Sequence, residues 1–562
     1  MKVLVFIAGV ALALATAASA EDRTCIAMCS RTDASSTWSS MAQTPELWLQ
    51  AGSPTPAERI TVMVGLRAPD GGRALRAKFF AVSDPASPDY RNFWSRKELI
   101  AAVAADKLDV QAVAAWMAEA GAEPRLTATG DWLETTMTVA QAETLFGAKI
   151  EAFTWATDDS DARILRTLEA VTVPTTVAPL VTAVVGLTSF PVTLGARRSR
   201  RESGVSLGTP KVTPQLLYKH YNVTEPAPKV ANLTMACAEF EHQSFSPRDL
   251  TRFQRDFKLA EQKVSKVVGP NDGLGHTEAN LDIQYIMALA QGVEAEMWLQ
   301  SGLSFNLVKW AQDVLASSDI PLVWSMSYGE AIETISVSEA QQYNAELQKF
   351  GSLGVTQIAA AGDTGVYSRG HPTGGIFYPT YPASLPAVTA VGATQMTDSG
   401  DENSCTDWSG GGFAPSKYFA SATEAPWQVD AIHAYFASGV DLPPVAYYDS
   451  HGTGFPDVSA LGVDFEVVMG LIREPVSGTS AASPTFAGII ANVNAHLINA
   501  GSRPLGFLNP FLYAHPEAFN DITQGKNDDG TKYGFEATKG WDPASGLGTP
   551  NFAAILTAAM AA

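Results

Sequence analysis

From residue 231 onward the sequence alternates short apolar runs with helix-length segments, and this pattern constrains the fold most. Residues 231–240, 321–327, 355–361 and 387–393 read as strands. Residues 277–291, 305–317, 337–349 and 484–499 read as helices. Apolar strands separated by helices of this length form βαβ units, with a parallel sheet covered on both faces. In such a sheet the functional site lies beyond the carboxyl ends of the strands. The expected fold class is therefore α/β, a doubly wound parallel sheet.

The preceding segment differs in character. Residues 60–66 read as a strand and residues 110–120 and 140–146 as helices, a smaller α+β unit. A break falls at Arg197-Arg198-Ser199-Arg200-Arg201, where arginines crowd together in an acidic chain. It reads either as a solvated loop or as a basic processing site between two domains. At the start, Met1-Lys2, an apolar run through Ala18 and the small residues Ala18-Ser19-Ala20 form a secretory leader over 1–20, with Glu21 first in the processed chain. The other long apolar stretch, 171–194, carries Pro174, Pro179 and Pro191, so it reads as strands and turns, and no membrane span is expected.

The chain has 562 residues, 46% hydrophobic and 17% charged, enough to bury a core in more than one domain. Its net charge of −20 argues against nucleic acid as a partner, which needs a basic face. With only four cysteines it is no disulfide scaffold. Cys25 and Cys29 are close enough to pair, Cys237 reads as a core thiol, and Cys405 has no evident partner. No Cys/His cluster has zinc spacing. Asn222-Val223-Thr224 and Asn232-Leu233-Thr234 are glycosylation acceptors in a eukaryotic host.

Three places carry chemistry. Ser477-Gly478-Thr479-Ser480-Ala481-Ala482-Ser483-Pro484 precedes a long apolar helix, and Pro484 suits its first turn. Ser480 would then sit at a helix N-terminus, which favours developing negative charge. Ala482 stands where an α/β-hydrolase elbow needs Gly. The base is not a histidine: His451-Gly452-Thr453 lies in a Gly/Asp/Pro-rich loop and reads as a decoy. Glu278 and Asp282, at i and i+4, share one helix face. They are either two solvated acids or, if buried, a coupled pair sharing a proton. The apolar neighbours Ile283, Ile286 and Met287 favour burial. Asp363, in Ala360-Ala361-Gly362-Asp363-Thr364-Gly365, follows an apolar strand directly.

In acid a histidine base is protonated, whereas a carboxylate base still works. The residues therefore combine into one mechanism. Ser480 attacks, Glu278 takes its proton, Asp282 orients Glu278, and a protonated Asp363 donates to the oxyanion. A binding-only relative is a weak rival, since all four positions are intact. A glycosidase is weaker still, because acids four apart on one helix do not flank a sugar from opposite faces.

These motifs resemble the sedolisins, the serine-carboxyl peptidases. Ser477-Gly478-Thr479-Ser480 is similar to their nucleophile motif, and Glu278 with Asp282 to their base and its partner. Gly362-Asp363 is similar to their oxyanion acid, and Ser325-Met326-Ser327-Tyr328-Gly329 to a characteristic strand end. Pro504-Leu505-Gly506-Phe507-Leu508-Asn509-Pro510, Gly540-Trp541-Asp542-Pro543 and Cys237 bring it nearest to the family's lysosomal, tripeptide-releasing branch. Ser83-Asp84-Pro85-Ala86-Ser87-Pro88-Asp89-Tyr90 resembles part of the family's prosegment, and the resemblance spans roughly residues 45 to 560.

The resemblance implies a subtilisin-like catalytic domain over 204–562. It also implies an inhibitory prodomain over 21–201, ending in the basic linker and removed in acid, with the mature chain starting around 204–207. The implied activity is an acid serine-carboxyl peptidase that removes tripeptides from free polypeptide N-termini. An acid endopeptidase is the alternative. The implied partners are polypeptide substrates and the chain's own prodomain, and the protein is a monomer of the lysosome or the extracellular space. The resemblance also implies one structural Ca²⁺. Asp521 and Asp542 would give side-chain oxygens, and Ile522, Thr538 and Gly540 backbone carbonyls. Cysteines that bridge the C-terminal loops in that branch are missing here.

Overall fold

The computed structural model describes residues 23–27, 48–155, 163–190, 197–198, 210–300, 305–368, 371, 373–397, 400–402 and 404–562. The leader, Cys29, the side chain of Cys25, residues 199–201 and the expected start at 204–207 lie outside the described residues.

The C-terminal part is built on β1 (Thr234–Glu239), β2 (Lys266–Val268), α1 (Thr277–Leu289), β3 (Glu294–Leu299), α2 (Leu307–Ala316), β4 (Val323–Met326), α3 (Val337–Ser352), β5 (Thr356–Ala360), β6 (Thr389–Gln395), β7 (Val458–Leu461) and α4 (Thr479–Asn499). The strands lie in the order β2-β3-β1-β4-β5-β6, with β7 beside β6, and all these pairs are parallel. Only the short strand Ser404–Cys405 at the edge runs antiparallel. β4 and β5 are buried at every position, as a sheet covered on both faces requires. α1 and α4 pack on one face, and α2 and α3 on the other. Gly488 lets α4 approach α1, since a Cβ there would come 2.6 Å from Leu289 Cβ.

The chain leaves β1 toward β2 and β3, then crosses to β4 on the other side. The strand order therefore reverses between β1 and β4. A crevice opens beyond their carboxyl ends at such a point. Glu239 ends β1, and Ser327 and Tyr328 follow β4 directly.

In the N-terminal part, Arg59–Leu66 is central to a four-stranded sheet. It pairs antiparallel with Trp132–Thr138 and with Val181–Val185, and Arg125–Leu126 lies outside Trp132–Thr138. Val62, Val64 and Leu133 face a core with Val113, Met117 and Phe146 from the helices Lys107–Glu119 and Val139–Phe146. Met63, Trp132 and Val185 point the other way and join the core around Trp310 and Phe350. Both faces of Arg59–Leu66 are thus covered, which explains why this strand reads as a continuous apolar run rather than an alternating one.

Two expectations change. α4 begins at Thr479, so Pro484 lies inside the helix and not in its first turn. Its missing N–H leaves the Ser480 carbonyl without an i+4 donor from within the helix. The basic break is not simply a loop. Arg197–Arg198 forms a strand antiparallel to Ile472–Ser477, with Arg197 opposite Ser477. Among the described residues no helix is long and apolar enough to cross a membrane.

Candidate active site

α1 supplies the two carboxylates. Glu278 and Asp282 are buried, at 3% and 0% exposure, so the reading of two solvated acids fails. Asp282 Oδ2 accepts a hydrogen bond from Ser327 Oγ at 2.9 Å, which ties α1 to the end of β4. Burial pushes the Asp282 carboxyl well above the usual carboxylate range, and the charges of Glu239 and Glu278 push it the same way.

Glu239 is the residue that sequence reasoning missed. It is fully buried at the end of β1, accepts from Tyr328 Oη at 2.8 Å, and is pushed up by burial to about 7. A signal existed: an acid closing an apolar strand, the same feature that marked Asp363. Glu239 and Asp282 lie close together, and the charge of Glu239 adds to the burial that raises the Asp282 carboxyl.

Asp363 follows β5. Its Oδ1 accepts from both the Thr479 backbone N–H and the Thr479 hydroxyl, each at 2.7 Å. The Thr479 hydroxyl in turn accepts from the Gly362 N–H at 3.1 Å. Asp363 is thus fixed to the residue before Ser480. Two glycines permit this. Gly362 has a φ of +115°, and a Cβ there would meet Thr380 Oγ1 at 2.7 Å. A Cβ on Gly478 would meet Asp363 Oδ2 at 2.9 Å, so Oδ2 lies against the turn that presents Ser480.

Ser480 is buried in the first turn of α4, and its Oγ makes no hydrogen bond among the described residues. The serine and Glu278 are therefore not hydrogen-bonded here. Ser483 Oγ lies 3.0 Å from Ser325 Oγ, which anchors the same turn to β4. β4 thus touches both halves of the site, α1 through Ser327 and α4 through Ser325. His451 is far from burial, with its side chain 86% exposed beside Asp449, as a loop decoy should be. Cys237 and Cys405 are free thiols, both buried.

The residues expected to hold a cation also converge. Asp521 Oδ2 accepts from Gly540 N at 2.9 Å, and Asp542 Oδ2 accepts from Thr538 N at 2.9 Å. Asp542 is fully buried, and Ser545 Oγ links it to the Ile522 carbonyl. Two carboxylates and nearby carbonyls from two adjoining loops form an all-oxygen set that fits a hard cation such as Ca²⁺.

Comparison with known proteins shows the family. Residues 46–190 match the family model described as "Pro-kumamolisin, activation domain", and residues 285–502 match "Subtilase family". The chain is similar to tripeptidyl-peptidase 1 of Homo sapiens, 33% identical over 537 residues, covering 91% of this chain and 93% of that protein. It is also similar to tripeptidyl-peptidase 1 of Bos taurus, 34% identical over 543 residues, 92% and 94% of the two chains. Among solved structures, "Pseudomonas sedolisin (serine-carboxyl proteinase) complexed with two molecules of pseudo-iodotyrostatin" superposes with a TM-score of 0.50 at 23% identity. That match covers 62% of this chain and 98% of the sedolisin chain.

Proposed function

We propose that this chain, which belongs to the serine-carboxyl peptidase family of tripeptidyl-peptidase 1 and sedolisin, is an acid-active peptidase that removes tripeptides from free polypeptide N-termini. The observation that carries the reading is the buried set Glu239, Glu278 and Asp282 in place of a histidine base.

Ser480 Oγ attacks the scissile carbonyl carbon, and Glu278 accepts the hydroxyl proton. Asp282, held by Ser327, orients Glu278. Asp363 Oδ1 is engaged as an acceptor by Thr479, so a proton on Oδ2 is directed toward the developing oxyanion. Collapse of the tetrahedral intermediate breaks the C–N bond, and Glu278 returns its proton to the leaving amine. Water then attacks the acyl carbon, giving a proton to Glu278, which passes it to Ser480 Oγ as the ester C–O bond breaks and the tripeptide acid leaves.

Residues 21–201 serve as the inhibitory prodomain and 204–562 as the peptidase, with the leader directing the chain to the secretory route and an acidic compartment. A Ca²⁺ ion held by Asp521, Asp542 and the carbonyls of Ile522, Thr538 and Gly540 would cross-link the C-terminal loops and take no part in the chemistry.

The test incubates the precursor at about pH 4, near the carboxylate reference range, with one peptide whose amino terminus is free or blocked. Tripeptide release from the free peptide alone supports the reading. Internal cuts in both peptides would instead make this an endopeptidase.

A further inference from the structure

The strand that leads into the nucleophile begins at an unusual turn. Phe465–Met469 and Ile472–Ser477 form a hairpin with Met469 opposite Ile472, so Gly470 and Leu471 are its two turn residues. Both have positive φ, +57° and +67°. A two-residue turn of this kind favours Gly or Asn at each position, because a larger side chain crowds the left-handed backbone. Leucine is a costly choice at 471, and burial does not explain it. Leu471 is 51% exposed, and the next residue, Ile472, is 60% exposed.

The turn is nevertheless firmly built. Asp249 is buried, its Oδ2 accepts from Gly470 N at 3.0 Å, and its Oδ1 accepts from Leu471 N at 2.8 Å. Asn280 Nδ2 donates to the same Oδ2 at 3.0 Å. Gln284 donates to the Val468 carbonyl at 2.8 Å and accepts from the Val468 N–H at 2.9 Å. Asn280 and Gln284 lie on α1, so the hairpin is fastened to the helix that carries Glu278 and Asp282. Leu274, 75% exposed, stands beside the same acid: a Cβ on its neighbour Gly275 would come 3.1 Å from Asp249 Oδ2. Three large apolar side chains thus flank one carboxylate and face water. Single exposed apolar residues are ordinary, whereas a cluster of them marks a contact surface.

The structure also shows what kind of chain lies along this hairpin. Arg197–Arg198 pairs antiparallel with its outer edge, Arg197 opposite Ser477 and Arg198 opposite Val476. From N to C that segment leads away from Ser480 and toward the tip. It belongs to the prodomain, so its departure frees the edge. A polypeptide held for cleavage has the same form. Its backbone is extended and needs partners, and the part beyond the scissile bond leads away from the serine.

We propose that this hairpin is an exosite for unfolded polypeptide substrates: the edge Ile472–Ser477 pairs with the chain downstream of the scissile bond, and Leu471, Ile472 and Leu274 cover one of its apolar side chains. The inference rests on the peptidase reading above and adds which part of the substrate is recognised. In strand addition the backbone bonds supply affinity and the side-chain contacts supply preference. The strand from Ser477 to Ile472 is about 17 Å long, so the apolar grip falls about six to eight residues beyond the scissile bond.

Two measurements test this on the processed enzyme. The first uses wild type with unfolded peptides of about twelve residues, in which a single leucine is moved along a run of serines downstream of the cut. The KM should be about tenfold lower with the leucine about six to eight residues past the scissile bond, the scale of burying one leucine side chain. A flat profile overturns the inference. The second uses the double variant of Leu471→Asn, which suits the turn, and Ile472→Thr, which suits the strand. The kcat/KM for the preferred peptide, divided by that for a short fluorogenic tripeptide amide, should fall about tenfold. An unchanged ratio overturns the inference. Binding to anionic vesicles, or dimer formation, that the variant abolishes at an unchanged ratio overturns it too, because the tip would then serve a membrane or a second copy. Wild type that releases tripeptides from neither substrate overturns the peptidase reading itself.

Discussion

Lys349, on the outer helix α3 of the catalytic domain, donates from Nζ to Asp131 of the prodomain and to Glu346 Oε1 at 2.6 Å, with its side chain only 2% exposed. Glu346 also accepts from Trp132 Nε1 and from Gln312 Nε2, each at 2.8 Å, and Gln312 accepts from Thr129. A buried lysine is thus shared between the two domains. Burial alone would lower its proton affinity, but the charges of Asp131 and Glu346 more than offset this.

Removing the prodomain's half of this contact should loosen its grip. Asp131→Asn replaces a charge-assisted bond to a buried ammonium, a loss of about 2 kcal/mol. Glu346 still pairs with Lys349, so the catalytic domain should keep its fold. Maturation of the precursor at a fixed acid pH, followed by gel, should be up to about thirtyfold faster in Asp131→Asn. An unchanged rate would show that the contact does not restrain the prodomain.

The fold should be more stable in acid than at neutral pH. Burial pushes Glu239, Glu339 and Asp457 up to about 7 and Glu333 up to about 8. Each carboxyl binds its proton more tightly in the folded chain than in the unfolded one. Its contribution is complete below the ordinary carboxylate range of about 4, and is lost as the pH rises through 7 to 8. The thermal midpoint should fall by several degrees between about pH 5 and pH 8.5. A midpoint that rises over this range would contradict the assigned burial.

Gly478 sets the position of Asp363 relative to Ser480. Gly478→Ala places a Cβ 2.9 Å from Asp363 Oδ2, so the carboxyl must turn away from the oxyanion. The kcat should drop about 100-fold with KM little changed, the scale of one lost oxyanion donor. Retention of full kcat would mean that Asp363 does not act from this position.

If Asp521 and Asp542 hold Ca²⁺, metal removal should act on stability before activity. Chelation should lower the thermal midpoint of the wild type by several degrees, because bound metal stabilises only the folded state. Asp542→Asn should start lower and not respond to chelator. Equal response of both proteins would place any cation elsewhere.

The sequence made some of these features legible and hid others for physical reasons. Ser480, Asp363 and the Glu278–Asp282 pair carry local signals: small residues before a helix, an acid closing an apolar strand, two acids on one apolar helix. The partners that hold them do not. Tyr328 reaches Glu239 because β1 and β4, distant in sequence, are neighbours in the sheet, and Ser327 reaches Asp282 because α1 lies against the end of β4. The pairing of Arg197 with Ser477 is long-range in the same way, and a basic run gives no hint of a strand. Pro484 misled because its missing N–H suits a first turn, whereas the helix already begins at Thr479.

The central claim is that Ser480 is acylated with a carboxylate as its base. The most direct measurement is the intact mass of the processed enzyme, quenched soon after mixing at about pH 4 with a tripeptide ester. Wild type should carry an acyl adduct that maps to Ser480, Glu278→Gln should form it far more slowly, and Ser480→Ala should form none. An adduct on another residue, or turnover by Ser480→Ala, would contradict the mechanism.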